Sequence, residues 1–369
     1  SATSIAENSG SSLTITATLS GKADEDVTVT IGTGGTSTEG TDYTDGSGSI
    51  DDIVISAGST TGIISFTPTD DSIYDATSNE TATIDISGVS GGSATEDGTQ
   101  NVTITITDDE SAPTVTLSRG AAAIDEDSSS TVTITATLSN ATYQDVTVTI
   151  DGTGGTGTEG TDFATVSDIT ISAGSTTGTA AVDPTDDSVY EGNETAGISI
   201  SGVSGGGASE SGSQSVTVTI TEDESAPGVT LTVSSSTLAE NSGNSKTITA
   251  TLTGTADEDV TVVIGTSGTA TEGTDYTDGS GNIDDITISA GSTTGTVNFT
   301  PTNDTIYEGN ETATISISSV SGGDAYISGG TQYVVLTIID DESAPTVALS
   351  VSATSIAENS GSSLTITAT

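Results

Sequence analysis

The feature that most constrains the fold of this chain is its internal repetition. The phrases DDESAPTVTLS, EDESAPGVTLT and DDESAPTVALS begin at Asp108, Glu222 and Asp340, so successive copies lie 114 and 118 residues apart. A repeating unit of that size is a whole domain and is too long for one coil of a solenoid. The phrases TEGTDY or TEGTDF and ISAGSTTG recur in step with it. The sequence therefore predicts three tandem domains.

A longer period is superimposed on the first. Residues 1–18 and 352–369 have the same sequence, SATSIAENSGSSLTITAT, whereas the corresponding stretch from Ser236 only resembles it. We interpret the chain as a window of a longer array, or as a subunit whose end overlaps the start of the next. The predicted domains are residues 1–112, which lack a first strand, 113–226, 227–344, and the beginning of a fourth at 345–369. The missing strand corresponds to Pro345–Val351, and we expect residues upstream or a neighbouring chain to supply it.

Apolar residues alternate with polar ones, mostly threonine, along most of each repeat. Leu13, Ile15, Ala17 and Leu19 share one face of such a run, and Ala82, Ile84 and Ile86 share another. Period-two alternation, β-branched outward positions and Gly/Ser/Asp breaks are typical of half-buried antiparallel strands. About seven runs per repeat predict an all-β fold of tandem Ig-like seven-stranded antiparallel β-sandwiches.

The charge balance narrows the classes of partner. The chain has 53 acidic and 3 basic residues and a formal net charge of −50. Such a surface disfavours nucleic acid and anionic membranes, because phosphate binding requires Lys and Arg. The chain contains no run of about 18 apolar residues, which is the length of a membrane helix. We therefore expect no direct insertion into a membrane. High charge with few aromatics also fits disorder, but the regular apolar pattern argues against that reading.

Acidic residues recur at the ends of the predicted strands. One example is DDSVYEGNE at 186–194, which carries four carboxylates and no nearby cation. In a sandwich, loops gather at two ends, so acids from separate loops can converge at one end. The candidate metal ligands are Glu7, Asp42, Asp70, Asp71, Asp75, Glu80, Asp108, Asp109 and Glu110 in the first repeat; Glu126, Asp162, Asp186, Asp187, Glu191, Glu194, Glu222, Asp223 and Glu224 in the second; Glu240, Asp275, Asp304, Glu308, Glu311, Asp340, Asp341 and Glu342 in the third; and Glu358 in the tail.

Converging carboxylates without cationic side chains suit Ca²⁺, which takes six to eight oxygen ligands in flexible geometry. The chain has no His and no Cys, and this disfavours zinc, copper and iron–sulfur sites. The alternative is that these are solvated turn residues, since Asp is common in turns.

The motifs SIAEN, TEGTDY, ISAGSTTG and TDDSIY, followed by the closing VTITITDDE, resemble the Calx-beta domain, the family known from sodium–calcium exchangers and large bacterial surface proteins. The resemblance covers all three repeats and implies a seven-stranded sandwich that binds Ca²⁺ at one end. For the second repeat it implies the acids given above as ligands, together with the carbonyl of Val189. The first repeat departs from the pattern at Asp75, which stands where Glu191 does, and the third at Asn303, which stands where Asp186 does.

Two enzyme-like patterns are interpreted as structural. GTGGTG at 152–157 follows a strand, but no helix follows it, so dinucleotide binding is disfavoured. GVSGG at Gly88 and Gly202 has no His to act as a base. The chain also has no Trp to bind sugars in a glycosidase-like cleft. We therefore expect that this chain is not an enzyme.

The leading hypothesis is a structural segment of a long extracellular repeat protein, whose calcium sites stiffen a rod, filament or adhesin stalk. Its partners would be neighbouring repeats or subunits of the same protein, with residues 345–369 exchanging strands between subunits. The alternatives are a calcium-sensing module, and an adhesin module that binds an extracellular surface target, for which Tyr326 and Tyr333 are candidates.

Overall fold

The computed structural model describes residues 3–75 and 79–369. These residues form β-strands joined by turns, with no α-helix in the described ranges. By contact density the chain divides into two compact units. Unit 1 is Ser1–Thr185 with Glu194–Ile220, and unit 2 is Asp186–Asn193 with Thr221–Thr369.

The strands of the first repeat are β1 Ser4–Ala6, β2 Leu13–Thr18, β3 Val27–Gly35, β4 Tyr43–Thr44, β5 Ile53–Ile55, β6 Thr61–Pro68, β7 Ile73–Tyr74, β8 Asn79–Ser90 and β9 Asn101–Thr107. Those of the second are β10 Thr114–Arg119, β11 Ala123–Asp125, β12 Val132–Leu138, β13 Ala141–Thr142, β14 Val146–Gly155, β15 Ile169–Ile171, β16 Thr177–Val182, β17 Val189–Tyr190, β18 Glu194–Ser204, β19 Ser209–Glu210 and β20 Ser215–Thr221.

The strands of the third repeat are β21 Gly228–Val233, β22 Thr237–Ala239, β23 Lys246–Leu252, β24 Thr255–Ala256, β25 Val260–Gly268, β26 Tyr276–Thr277, β27 Ile286–Ile288, β28 Thr294–Pro301, β29 Glu311–Ser321, β30 Tyr326–Ile327 and β31 Tyr333–Ile339. The tail adds β32 Leu349–Val351 and β33 Ile366–Ala368. Two 3₁₀ turns, Glu7–Ser9 and Glu240–Ser242, were not predicted from the sequence.

Each repeat has two sheets, as expected for a sandwich. The larger sheet of the first repeat has the order β1-β9-β8-β3-β5, and the same order recurs as β11-β20-β18-β14-β15 and β22-β31-β29-β25-β27. The opposite sheets are β2-β6-β4, β16-β12-β10-β19 and β26-β28-β23-β21-β30. Pairing within the long strands is antiparallel, but β1 pairs with β9 in parallel. The all-β sandwich prediction is confirmed.

The core of each repeat is built from the alternating aliphatic side chains and a few central rings. In the first repeat the rings of Tyr43 and Phe66 stack with centroids 4.7 Å apart. Tyr276 and Phe299 repeat this stack at 4.7 Å in the third. Phe163 takes the first of these ring positions in the second repeat, and it is fully buried. These five rings lie at the centre of the cores, whereas Tyr143, Tyr307, Tyr326 and Tyr333 are exposed.

Glycines in the two enzyme-like patterns serve close backbone approaches. Gly155 lies at the end of β14 with φ of 101°, and a Cβ there would lie 2.1 Å from the carbonyl oxygen of Thr195. Gly205 has φ of 90°, and its Cβ would lie 2.2 Å from the carbonyl oxygen of Asp145. Only glycine fits such positions. These contacts explain the patterns by strand packing.

Candidate metal sites at the loop ends

The first repeat gathers three carboxylates where β1 and β9 end. Glu7 begins the 3₁₀ turn after β1, and Asp108 and Glu110 follow β9, which is the parallel partner of β1. Parallel neighbours end at the same edge of a sheet, so the residues that follow them meet. One carboxylate oxygen from each of the three residues lies within 4.8 Å of the others.

A second set of acids adjoins this group. A small cavity of the first repeat is lined by Glu7, Asp42, Asp75, Glu80 and Asp108, together with Ile106 and Tyr143. Asp42 is held by the backbone N–H of Thr38, which donates to its Oδ2 at 2.5 Å. Asp75 donates its own backbone N–H to Asp108 Oδ2 at 3.3 Å. The predicted convergence of acids from separate loops is therefore present in this repeat.

The third repeat reproduces the arrangement as two groups. One consists of Glu240, Asp340 and Glu342, and the other of Asp275, Glu308 and Glu311. In each group one oxygen per residue lies within 4.8 Å of the others. Both groups are built by the same loops as in the first repeat.

Backbone amides fix the central carboxylates of the third repeat. Asp340 Oδ2 accepts from the N–H of Glu308 at 2.9 Å and of Gly309 at 2.5 Å, and its Oδ1 accepts from Glu342 at 3.0 Å. Glu240 Oε1 accepts from the N–H of Asp304 at 2.8 Å. These bonds join three loops without a cationic side chain.

Burial, hydrogen bonds between carboxyl groups and the close approach of like charges raise several pKa values. Burial, a hydrogen bond with Glu110 and neighbouring negative charges raise the pKa of Glu7 to about 8. Burial and the charges of Asp42 and Asp75 raise the pKa of Glu80 to about 7. In the third repeat, a hydrogen bond with Asp340 and burial raise the pKa of Glu342 to about 7. Like-charge crowding of this kind disfavours ionisation.

Asp340 departs from this trend. Burial acts to raise its pKa, but the hydrogen bonds from backbone N–H groups outweigh burial, and the net effect is a lowered pKa. Carboxylates that accept several amide bonds are stabilised in the charged form. One oxygen donor of the group is thus kept ionised without a metal.

The donor set fits a hard divalent cation. Oε1 of Glu7 and Oε2 of Glu110 are buried and have no hydrogen-bond partner, and the same is true of Oε2 of Glu342. A buried, unpaired carboxylate oxygen carries a large desolvation cost. A cation with oxygen preference would remove that cost in both repeats, and Ca²⁺ accepts irregular all-oxygen coordination.

The acids of the second repeat are divided between the two units. In unit 1, Asp162 Oδ2 accepts from the N–H of Thr158 at 2.6 Å. In unit 2, Glu222 Oε2 accepts from the N–H groups of Glu191 and Gly192 at 2.6 and 2.7 Å, as Asp340 does in the third repeat. Glu126, in unit 1, is buried. As one metal site, the second-repeat set stays a prediction.

Several predicted ligands have other roles or lie apart. Asp71, Asp187 and Asp304 each accept from the N–H two residues on, at 2.6–2.7 Å, and so shape the turn after the acidic pair. The middle acid is exposed in each of the three-acid groups at 108–110, 222–224 and 340–342. Two of these middle acids, Asp109 and Asp341, accept hydrogen bonds from the side-chain amides of Asn8 and Asn241. The remaining exposed members are Asp70, Asp186 and Glu358, whereas Asp223, which is also exposed, has its carboxylate close to those of Glu222 and Glu224.

A short strand inside the acidic loop forms a contact that the sequence did not reveal. In unit 1, β7 pairs in parallel with β13 of the following repeat, with Ile73 opposite Ala141 and Tyr74 opposite Thr142. In unit 2, β17 pairs in the same way with β24. Each acidic loop is therefore tied by backbone hydrogen bonds to the repeat that follows it.

Tyrosines accompany these pairings. Tyr143 donates its hydroxyl to Asp71 Oδ2 at 2.6 Å, which places a second-repeat side chain on the rim of the first-repeat cavity. In unit 2, Tyr190 donates to Asp324 Oδ2 at 3.2 Å. The departure of ATYQD from KADED and TADED at this point in the repeat was the available signal for Tyr143.

These repeats define a class: tandem β-sandwiches, of which the first and the third gather carboxylates from separate loops at one end. Among protein-family models, that of the Calx-beta domain matches residues 1–110 and 222–342. The chain belongs to the Calx-beta family, as its motifs predicted. The model of the LapA domain matches residues 111–223. The exact domain boundaries predicted from the sequence stay a prediction.

Solved structures of several kinds are similar to parts of the chain. The crystal structure of CBD12 from CALX1.2 is 16% identical, with 61% of this chain and 99% of that chain covered and a TM-score of 0.28. The Yersinia pseudotuberculosis adhesin InvE is 16% identical (61% and 58% covered, TM-score 0.29). Domains 1-6 of the surface layer protein SbsC are 13% identical (92% and 54% covered, TM-score 0.23). No curated protein matches the chain. The described residues contain no helix that could span a membrane.

Proposed function

We propose that this chain is a structural segment of an extracellular repeat protein, whose sandwiches are stiffened by Ca²⁺ at their loop ends and can join between subunits by strand exchange. The observation that carries the calcium part is the set of buried carboxylate oxygens of Glu7, Glu110 and Glu342, which have no hydrogen-bond partner. A bound Ca²⁺ would supply positive charge to oxygens that the chain cannot pair with its 3 basic residues.

The residues that would hold the ion differ in how far they are already ionised and held in place before it binds. In the third repeat, the amides of Glu308, Gly309 and Glu342 hold Asp340 ionised and in place. In the first repeat, Glu7 and Asp108 have raised pKa values and must lose protons on binding, so calcium would compete with protons there. Binding that releases protons weakens as the pH falls.

Calcium would stiffen the junction between repeats because the acidic loop pairs with the repeat that follows it. Asp71 lies beside β7, which pairs with β13 of the next repeat, and Asp71 also accepts the hydroxyl of Tyr143. An ion bound to the same loop would restrict both the loop and its pairing. The linker after β9 is short and reaches Pro113, which limits its rotation.

An extracellular location is part of the same proposal. Calcium modules of extracellular proteins bind with dissociation constants of about 10⁻⁴–10⁻³ M, so sites of this affinity are occupied only where calcium reaches millimolar concentrations. The absence of Cys and Met from the chain makes it resistant to oxidation.

The test is thermal unfolding of the 369-residue chain with millimolar calcium, with magnesium and with a chelator. A ligand that binds only the folded state raises stability by mass action, by about 2.7 kcal/mol at a hundred times its dissociation constant. We expect calcium to raise the unfolding temperature strongly and magnesium to raise it little. Equal effects of calcium, magnesium and sodium at matched ionic strength would show that the acids form only a solvated surface and no calcium site.

The calcium-sensing alternative makes a different prediction. A sensor responds at about 10⁻⁷–10⁻⁵ M calcium, whereas a structural site in an extracellular protein needs only millimolar affinity. Calorimetric titration therefore separates the two. Half-saturation in the micromolar range would favour the sensing module.

A further inference from the structure

Two strands that are about a hundred residues apart in the chain lie side by side in the larger sheet of each repeat. In the third repeat β22 pairs in parallel with β31, with Thr237 opposite Thr337 and Ala239 opposite Ile339. The N–H of Thr337 also donates to the carbonyl oxygen of Ser236 at 2.8 Å. In the first repeat β1 pairs in parallel with β9, and in the second β11 and β20 are neighbours at the same position of the sheet.

The parallel direction decides how this pair is loaded when the chain is under tension. The chain enters the pair of the third repeat at the start of β22 and leaves it at the end of β31. Tension therefore pulls β22 toward its start and β31 toward its end, so that the two strands are made to slide past each other. The hydrogen bonds of a parallel pair are evenly spaced along it. In sliding they carry the load together, whereas in peeling they break one at a time.

Buried side chains anchor both strands against sliding. Leu238 of β22 lies opposite Ile338 of β31, and both are buried in the core of the third repeat. Ile5 of β1 and Ile106 of β9 occupy the same positions in the first repeat and are also buried. A slip of β22 along β31 has to withdraw Leu238 from the core and expose apolar surface to water, which costs free energy.

A side-chain hydrogen bond joins the two strands where the chain leaves the pair. Asn241 lies in the 3₁₀ turn after β22, and its side-chain amide donates to Oδ2 of Asp341, two residues beyond the end of β31, at 2.7 Å. In the first repeat the side-chain amide of Asn8 donates to Oδ2 of Asp109 at 2.5 Å in the same place. Sliding of the strands separates these donors from their acceptors directly. The bond therefore opposes the load at the point where it enters from the linker.

We propose that β22 and β31, with the Asn241–Asp341 hydrogen bond at their end, form a clamp that keeps the third repeat folded when the chain is under tension, and that β1 and β9 form the same clamp in the first repeat. This adds a load-bearing function to the structural role proposed above and does not require calcium. Forced unfolding is governed by the rate of unfolding, so the clamp sets how long a repeat survives under load.

The second repeat keeps the strand pair but has a different residue at the end of it. Asp127 stands where the other repeats have Asn8 and Asn241. An ionised carboxylate only accepts hydrogen bonds and cannot replace the amide as a donor. The backbone pairing is retained, because the N–H of Thr219 donates to the carbonyl oxygen of Ala122 at 3.0 Å. We therefore expect the clamp of the second repeat to yield at lower tension than the other two.

The direction of loading tests the clamp, and the chain suits this test because it has no Cys. Two introduced cysteines then fix where DNA handles pull on the full 369-residue chain in an optical trap. Ser236→Cys with Ser343→Cys makes the strands slide past each other. Ser236→Cys with Thr331→Cys pulls apart the starts of the same two strands and peels them. All three positions are exposed, so the substitutions leave the core intact.

In chelator, we expect the rupture force of the sliding pair of cysteines to be several-fold higher than that of the peeling pair at the same loading rate. The two variants contain the same strands, hydrogen bonds and core, and β21 lies outside the loaded segment in both. Only the direction of loading differs between them. Equal rupture forces in the two directions would overturn the clamp.

A further substitution tests the hydrogen bond at the end of the clamp. Asn241→Asp gives the third repeat the residue of the second and removes the donor to Asp341. In the sliding variant it should raise the unfolding rate at constant force by up to about tenfold, the effect of losing one hydrogen bond to a charged group. The force that starts peeling should stay unchanged, because this bond lies at the other end of the strands.

Asn244→Asp is the matched control for this substitution. It makes the same change of charge in the loop that follows the same turn, but the side-chain amide of Asn244 donates to the carbonyl oxygen of Ser242 and does not reach across the clamp. It should leave the unfolding rate of the sliding variant unchanged. Equal effects of the two substitutions would overturn the role given to Asn241.

The outcomes distinguish the clamp from the calcium proposal. A higher sliding force in chelator supports the clamp even if calcium fails to raise the unfolding temperature. Equal sliding and peeling forces, in a chain whose unfolding temperature calcium does raise, overturn the clamp and leave the calcium proposal standing.

Discussion

The acidic sites of the first and third repeats are built from the same loops but have different surroundings. The first is bordered by Tyr143 of the following repeat, whose hydroxyl donates to Asp71. In the third, the equivalent loop carries Ile306 and Tyr307 into solvent. The two sites show that a repeat contributes most of a site, and that the next repeat sets how the site is covered.

The pKa values of the carboxyl groups also differ between the two sites. Glu7, Glu80 and Asp108 of the first repeat have pKa values raised to about 8, 7 and 6. In the third repeat the hydrogen bonds from backbone amides lower the pKa of Asp340, the counterpart of Asp108. The contrast is therefore between Asp108, whose pKa is raised, and Asp340, whose pKa is lowered, whereas Glu342 of the third site also has a raised pKa.

The largest expected effects are losses of stability in the cores of the first and third repeats, which contain the same Tyr–Phe stack. Phe66→Ala and Phe299→Ala each remove a fully buried ring from a Tyr–Phe stack, and each should cost about 3–5 kcal/mol of local stability. Hydrogen exchange of peptides from each repeat would measure it. A much smaller loss at Phe66 would mean that the first core is packed more loosely than the third.

Loss of one ligand should be next in size. Glu110→Gln and Glu342→Gln each remove a carboxylate with a buried unpaired oxygen. We expect each to lower the calcium-dependent stabilisation of its own repeat by about 1–3 kcal/mol and to raise the unfolding temperature in chelator, because repulsion is relieved. Titration calorimetry and thermal unfolding would show both effects.

Glu358→Gln is the matched control for these ligand variants. Glu358 has the sequence context of Glu7 but lies exposed in the tail. Its substitution should change neither calcium binding nor stability. An equal effect of all three substitutions would show that calcium acts on the general charge of the chain.

The tyrosine contact gives a smaller expected effect. Tyr143→Phe removes the hydroxyl that donates to Asp71, and a hydrogen bond to a charged group contributes about 1.5 kcal/mol. The β7–β13 pairing should then open more often, which hydrogen exchange at residues 73–74 and 141–142 would detect. Tyr307→Phe in the exposed loop should change nothing, and equal effects would remove the distinction between covered and open sites.

The pH dependence should be the smallest effect. A group whose pKa is raised by folding adds stability below its ordinary pKa, and that stability is lost as the pH rises through the folded value. In chelator, the first repeat should therefore lose stability between pH 4.5 and about 8, and the third between pH 4.5 and about 7. Calcium should suppress both losses. Unfolding temperatures that are flat across these ranges would contradict the close approach of the carboxylates.

The sequence predicted the strands and the meeting of the acids because both depend on local patterns. Alternation assigns one face to Ile104 and Ile106, which are buried, and the repeat phrases place acids at strand ends. The same alternation places Val102 on that face, but Val102 is 45% exposed although it pairs with the buried Ile84.

What the sequence did not predict depends on contacts between distant segments. The strand β7 has two residues, Ile73 and Tyr74, and it exists because β13 of the next repeat pairs with it. The division of the acids into ligand-like and turn-forming ones depends on which amide lies nearest. Asp304 accepts from Ile306, for example, although its sequence context is that of the other acids.

The two junctions also carry a consequence for how such arrays change in length. Tyr74 packs against Gly207, where a Cβ would lie 2.8 Å from Cε1 of the ring, whereas Tyr190 meets Asp324 at the equivalent position. Asp257 likewise takes the place of Tyr143. If recombination joined the first repeat directly to the third, Tyr74 would meet Asp324 and Asp71 would face another carboxylate. Gene copies that gain or lose 351 residues would preserve these two junctions, and those that gain or lose one repeat would not.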